Sequence, residues 1–372
     1  MKLQEFLVET WMTEHENDCI YNLTDTCVSC MTLKQLSDLC QQDFMNDLMS
    51  IKVDYGPIVG SDRLKKAILG LYQTGTVDNI TMTSGTINAN ELILMSLLDS
   101  GDHVVTMLPT YQQLYSFPES LGCVVDYVYL DEKNHWLPKI EDFQKVVSQK
   151  TKLICLNSPN NPTGTFIDQQ LMKEIIKLAK ENDCYILCDE VYRGTIDHKL
   201  AYSASDLDEN VIVTSSLSKV FSFAGLRLGW IKASKDVINL INYRRDYHII
   251  SNGPIDDYLA SIILEHKDII LKQSEEICLE NKKYLKKWLE KENHISCVIP
   301  KHGTVGFLKY DLPIPSQELC ERLQKEVGIF FVPGSCFDHE YHLRFGFGND
   351  PQMVKEGLNV FSQWLKQFDE VA

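Results

Sequence analysis

A single lysine, Lys219, lies in the run TSSLSKVFSFAGLRLGW, residues 214–230, among hydroxyls, aromatics and glycines. Arg227 follows eight residues later in an apolar, glycine-flanked setting. An amine held in such a place can bond to a carbonyl carbon and carry a proton, and a guanidinium can fork onto an anion. Four other stretches offer matching chemistry. TSGTINAN, residues 83–90, reads as a strand end, a turn and a helix start. Its exposed backbone N–H groups suit a phosphate, with Gly85 allowing close approach and Ser84 and Thr86 adding hydroxyls. LPTYQQLY carries Tyr111, a ring able to stack on a planar ligand. NSPNNPTG, residues 157–164, is a rigid loop that can aim the Asn161 amide at strand ends. CDEVYRG brings Asp189 to the end of an apolar run, with Tyr192 three residues on. A carboxylate there needs a cationic partner.

Each feature has a plain alternative when read alone. Ser84 can be an ordinary helix cap, Tyr111 an interface ring, Lys219 part of a surface turn and Arg227 half of a structural ion pair. The combination is more specific. An anion cradle, a stacking ring, a carboxylate, a phenol and a lysine together suit a phosphorylated aromatic aldehyde bonded to the lysine. No G-x-G-x-x-G opens a helix, and the chain has no P-loop and no H-E-x-x-H.

These residues need a scaffold that gathers loops at one edge. Between about residues 80 and 232, short β-branched runs alternate with helical periodicity. ITMTSG, HVVTM, CVVDYVYL, KLICLN, YILCDE, NVIVTSS and RLGWIKA read as strands, and residues 168–183 as a helix. This alternation predicts an α/β domain with a mostly parallel, buried sheet flanked by helices. Ligands in such sheets collect at the carboxyl ends of the strands. A long helical segment over 255–290, short strands in VGFLKY, GIFFVPG and HLRFGFG, and a terminal helix predict a smaller α+β domain that borrows the N-terminal segment. The expected division is 49–279 for the large domain, and 1–48 with 280–372 for the small one.

The 372 residues are 44% hydrophobic, enough for a sizeable core. A net charge of −16 argues against nucleic acid or an anionic membrane as partner. No window approaches the ~20 apolar residues of a membrane span. The twelve cysteines are scattered, mostly in apolar runs, which points to a reducing cytoplasm. Cys27 and Cys30 form one C-x-x-C pair. A zinc site would need a second matching pair, so no metal is expected, and a redox role for the pair stays open.

The ordered set NSPNNPTG, DEVY, SLSK and GLRLGW resembles the class I/II aminotransferases, which are fold type I enzymes dependent on pyridoxal 5′-phosphate. The likeness runs from YGPIVGSDRLKKAI to YHLRFGFG. It implies that Lys219 bonds to the cofactor aldehyde and that Asp189 pairs with the pyridine nitrogen. It further implies that Tyr192 and Asn161 bond the ring 3-oxygen, and that Tyr111 stacks on the ring. Gly85, Thr86, Ser216 and Arg227 would hold the phosphate. Arg344 in HLRFGF would bind the substrate α-carboxylate, with Asn161 beside it. Tyr55 matches a tyrosine that reaches the phosphate of a neighbouring subunit, so a homodimer is implied. The implied activity is amino transfer between an amino acid and a 2-oxo acid. Two alternatives remain: a carbon–sulfur lyase or amino-acid cyclase on the same scaffold, and a non-catalytic regulator. The N-terminal part slightly resembles capreomycidine synthase-like members. Many relatives carry a glycine-rich substrate segment where this chain has NLTDTCVSCMT, residues 22–32, with no glycine. Asp25 in that segment reads as a turn cap, or as a contact for a cationic substrate side chain.

Overall fold

The computed structural model describes residues 2–369. Its main sheet has seven strands in the order 80–83, 229–232, 211–216, 185–189, 151–157, 103–108 and 124–129. The strand Gly229–Lys232 runs antiparallel to both of its neighbours, and the other pairings are parallel. The seven predicted strands are therefore present. The last is shorter at its start than RLGWIKA suggests. Arg227 ends a 3-10 turn in a left-handed conformation (φ 48°), and the strand begins at Gly229.

Period-2 alternation along the parallel strands feeds two separate cores. Ile154, Leu156, Ile186, Cys188, Val211 and Val213 face one. Leu153, Cys155, Leu187 and Ile212 face the other, with the helices Gly85–Leu97 and Lys235–Arg245 packed there. Both faces are covered, so the strands read as nearly continuous apolar runs. The helix predicted over 168–183 occupies Gln169–Glu181, capped by the Asp168 carboxylate, which accepts from the Leu171 N–H.

A second sheet is fully antiparallel, in the order 295–297, 305–310, 342–346 and 332–333. The expected strand in GIFFVPG is two short ones that change partner at Phe331. Val332–Pro333 pairs with the strand His342–Gly346, whereas Ile329–Phe330 pairs in parallel with Tyr21–Asn22. The Trp11 indole donates to the Phe331 carbonyl at 2.9 Å. The N-terminal segment thus contacts the C-terminal part. The helical segment expected over 255–290 is two helices, Pro254–Glu265 and Lys267–Leu289. His266 separates them with φ −105° and ψ 20°, outside the α region. Among the described residues, no helix is long and apolar enough to cross a membrane.

Candidate active site

Three adjacent parallel strands end at Asn157, Asp189 and Ser216. Their carboxyl ends open into a cavity of about 560 Å³. Thr86, Tyr111, Asn161, Asp189, Tyr192, Ser216, Lys219, Arg227 and Arg344 all line it, although they span more than 250 positions of sequence. The loop NSPNNPTG is pinned to the Asp189 strand. Asn157 Nδ2 and the Ser158 N–H both donate to the Asp189 carbonyl, at 3.0 and 2.9 Å. The Asn157 side chain accepts from the Asn161 N–H at 2.7 Å. Asn161 is 2% exposed, and its Oδ1 has no partner.

Asp189 is buried, and burial pushes its carboxyl up to about 6. Hydrogen bonds and the Lys219 charge oppose that rise. Asn90 Nδ2 donates to Asp189 Oδ2 at 2.9 Å, and the Val191 N–H donates to Oδ1 at 3.0 Å. The Asn90 Oδ1 accepts from the Thr214 hydroxyl at 2.7 Å, which fixes the direction of the amide. Asn90 closes the stretch TSGTINAN, yet its part in the site was not foreseen. The available signal was a polar residue on the buried face of an apolar helix.

Lys219 Nζ donates to the Thr26 hydroxyl at 2.6 Å and lies 3.7 Å from the Cys27 sulfur. It stands 6.0 Å from the centre of the Tyr192 ring. Burial presses the Lys219 ammonium down, but the neighbouring Cys27, Tyr192 and Asp25 outweigh it and the net direction is up. Burial also pushes the Cys27 thiol and the Tyr192 phenol up. The surface-turn alternative for Lys219 does not hold. The N–H of Val28 donates to the Lys219 carbonyl at 3.0 Å, and the Thr304 hydroxyl donates to the Thr26 carbonyl at 2.6 Å. The glycine-free segment is thus tied to the lysine by backbone as well as side chain.

Gly85 opens the helix Gly85–Leu97 with φ +77°. A Cβ there would meet Arg227 Nη2 at 2.9 Å. Ser84 makes no side-chain cap, so the ordinary-cap alternative is not realised. The Thr86 hydroxyl is buried without a partner. Arg227 is exposed, not buried; it lines the cavity, and its Nη1 donates to the Ala224 carbonyl at 3.1 Å. Among the described residues it has no carboxylate partner, so the ion-pair alternative fails as well.

Arg344 is 3% exposed on the strand His342–Gly346. Its Nε donates to the Thr24 hydroxyl at 3.2 Å, and its Nη2 lies 3.6 Å from the Met12 sulfur. Among the described residues it too lacks a carboxylate partner. Tyr111 donates its hydroxyl to Glu9 Oε1 at 3.0 Å. Tyr55 is 67% exposed and lies outside this cavity. Asp25 does cap a turn, accepting from the Cys27 N–H at 2.9 Å, and it also lines the cavity. Cys27 and Cys30 are free thiols on the same wall. Among the described residues, no cluster of three or more His, Cys, Asp or Glu could hold a metal ion.

The chain belongs to the aminotransferase class I and II family, which it matches over residues 30–361. Family membership makes it an enzyme whose cofactor is pyridoxal 5′-phosphate. It is similar to capreomycidine synthase of Streptomyces vinaceus, at 28% identity over 83% of this chain and 80% of that protein. It is similar to an aspartate aminotransferase of Pyrococcus horikoshii, at 27% identity over 84% of this chain and 83% of that one. Among solved structures, a PLP-dependent aminotransferase from Streptococcus suis 89-1591 superposes with a TM-score of 0.96, at 37% identity over 99% of both chains.

Proposed function

We propose that this chain transfers an amino group between an amino acid and a 2-oxo acid. The observation that carries this reading is the convergence of Lys219 Nζ, the Asp189 carboxylate and the unpaired Arg344 guanidinium on one cavity. The residues fit the family's cofactor. Asp189 is a buried carboxylate that a cationic ring nitrogen would satisfy. The Asn161 Oδ1 and the Thr86 hydroxyl are buried polar atoms without partners. Gly85 leaves room for a phosphate oxygen where a Cβ would press on Arg227.

When bound, pyridoxal 5′-phosphate supplies an electron sink for the bonds at the substrate Cα. Asp189 holds a proton on the ring nitrogen, and Asn90 holds Asp189. Tyr192 and the uncommitted Asn161 amide serve the ring 3-oxygen. Gly85, Thr86, Ser216 and Arg227 would hold the phosphate, and the Tyr111 ring would stack on the cofactor. Arg344 grips the α-carboxylate in a fork, which fixes the Cα–H bond that faces Lys219. Lys219 Nζ would bond to the cofactor aldehyde and, in its neutral form, would serve as the base for the Cα proton.

A cyclase or carbon–sulfur lyase outcome is the second reading. It is favoured by the Thr26 hydroxyl and Cys27 thiol at Lys219 Nζ, in a segment without glycine. A non-catalytic regulator is the third reading, and the paired lysine and unpaired arginine weigh against it. Acceptor dependence separates them. Amino transfer requires a 2-oxo acid for sustained turnover. Release of ammonia or sulfide without an acceptor identifies a lyase, and no turnover of any amino acid identifies a regulator. The exposure of Tyr55 is compatible with service to a second subunit. We therefore propose a homodimer, tested by a solution mass twice that of the 42.7 kDa chain. We also propose a large domain at 49–279 and a small one from 1–48 with 280–372, supported by the separate seven- and four-stranded sheets. Twelve free thiols support a cytoplasmic setting.

A further inference from the structure

Thr26 lies in the glycine-free segment, 5% exposed, and its hydroxyl accepts from Lys219 Nζ at 2.6 Å. The backbone around it is clamped from two sides. Gly346 and Gly348 pack so closely on the segment that a Cβ on either would collide with the carbonyl oxygen of Asp25 or Cys27. The Gly346 N–H donates to the Leu23 carbonyl at 2.8 Å, and the Ser29 N–H donates to the Gly348 carbonyl at 2.8 Å. From the other side the Thr304 hydroxyl donates to the Thr26 carbonyl, and the Val28 N–H donates to the Lys219 carbonyl. The acceptor is therefore carried on a fixed frame and is already in place for the amine.

An ammonium has three N–H donors and no acceptor, so a hydroxyl oxygen suits it. A lysine nitrogen double-bonded to an aldehyde carbon keeps at most one N–H. The Thr26 contact is thus strongest for the released, protonated amine. Among the other groups facing Nζ, Cys27, Tyr192, Asp25 and Asp189 weigh toward its charged form, and Arg344 weighs against it. Burial pushes the Tyr192 phenol up, and a hydrogen bond from Thr26 opposes that rise, so one hydroxyl serves both side chains.

We propose that Thr26 is a positioning residue that stabilises the released amine of Lys219 and so favours detachment of that lysine from the cofactor. This rests on the reading of Lys219 as the lysine that bonds the cofactor aldehyde. Detachment is an exchange. The substrate amine forms a C=N bond to the aldehyde carbon as the Lys219 nitrogen leaves, and the proton lost by the incoming nitrogen passes to the departing one. The test titrates apo-protein with pyridoxal 5′-phosphate and reads the dissociation constant by fluorescence. There the aldehyde oxygen leaves as water when Nζ bonds, and the Thr26 contact weakens. Thr26→Val keeps the shape and removes the acceptor. It should bind the cofactor about tenfold more tightly than the wild type, whereas Thr26→Ser should match the wild type. In a Lys219→Ala background Thr26→Val should change nothing, which separates the amine from the Tyr192 contact. Thr26→Ala repeats the test if Thr26→Val does not melt cooperatively. Unchanged or weaker binding in the hydroxyl-free variant, the result of a merely structural role, would overturn the proposal. So would the same tightening in the Lys219→Ala background. Borohydride label on a lysine other than Lys219 would instead remove the reading of Lys219 on which the proposal stands.

Discussion

Replacing Asn90 with alanine removes the amide that donates to Asp189 Oδ2 at 2.9 Å, yet touches no atom that meets the substrate. Asp189 stands at about 6 because burial outweighs its hydrogen bonds. A hydrogen bond to a charged group contributes ~1.5–3 kcal/mol, and one pKa unit is ~1.4 kcal/mol, so the substitution should lift Asp189 by about one to two units. The sign follows from the raised acid. The charged form that holds the ring nitrogen is present above the folded pKa and is lost as pH falls through it. Cofactor affinity should therefore fall on acidification at higher pH in the variant than in the wild type. For a shift to ~7.5, the ionised fraction at pH 6.5 drops about eightfold, and the two proteins converge near pH 9. The assay is a fluorescence titration of apo-protein with pyridoxal 5′-phosphate across pH. The cofactor phosphate, with a second pKa of about 6, adds an acid limb common to all variants. Asp189→Asn isolates that limb, because it has no carboxylate to titrate. A cooperative melt establishes that Asn90→Ala is folded, since the Thr214 hydroxyl loses its acceptor. If the acid limb of Asn90→Ala coincided with that of the wild type, Asn90 would not tune Asp189 and the reasoning would fail.

Two further perturbations test the ends of the cavity. Gly85→Ala forces a side chain into φ +77° and toward Arg227 Nη2, at 2.9 Å. A strain of ~1–3 kcal/mol should weaken cofactor binding roughly tenfold, read in the same titration. Arg344→Lys keeps the charge but loses the planar fork. With ~2–5 kcal/mol at stake for a buried charged pair, kcat/KM should drop on the order of 100-fold while the cofactor absorbance is retained.

The chemistry of the strand ends was largely legible in the sequence. Lys219, Asp189 and Asn161 sit in short motifs, and each follows an apolar run that reads as a strand. Local pattern suffices there because a buried parallel strand must be apolar and its loop must carry the function. What escaped is contact across long separations. Thr26 is 193 positions from Lys219 in the chain, and nothing local in NLTDTCVSCMT says that its hydroxyl meets that amine. Asn90 looked like part of a helix start, because its partner lies 99 residues away. The pattern around Arg227 reads as buried backbone, but the residue is exposed, with a left-handed backbone at φ 48°, and lines the cavity. The break at His266 carries no proline or glycine to announce it. The cavity wall around Arg344 is the hardest part to read, since it joins one face of the helix Leu7–His15 to a strand more than 300 residues on.

The proposed function requires that Lys219 carry the cofactor through its side-chain amine. Sodium borohydride reduction of the holoenzyme, followed by peptide mass mapping, tests it directly. One pyridoxyl phosphate group is expected on the peptide containing Lys219, and none in Lys219→Ala, which should still bind the cofactor without a covalent bond. Label on another lysine, or full activity in Lys219→Ala, would contradict it.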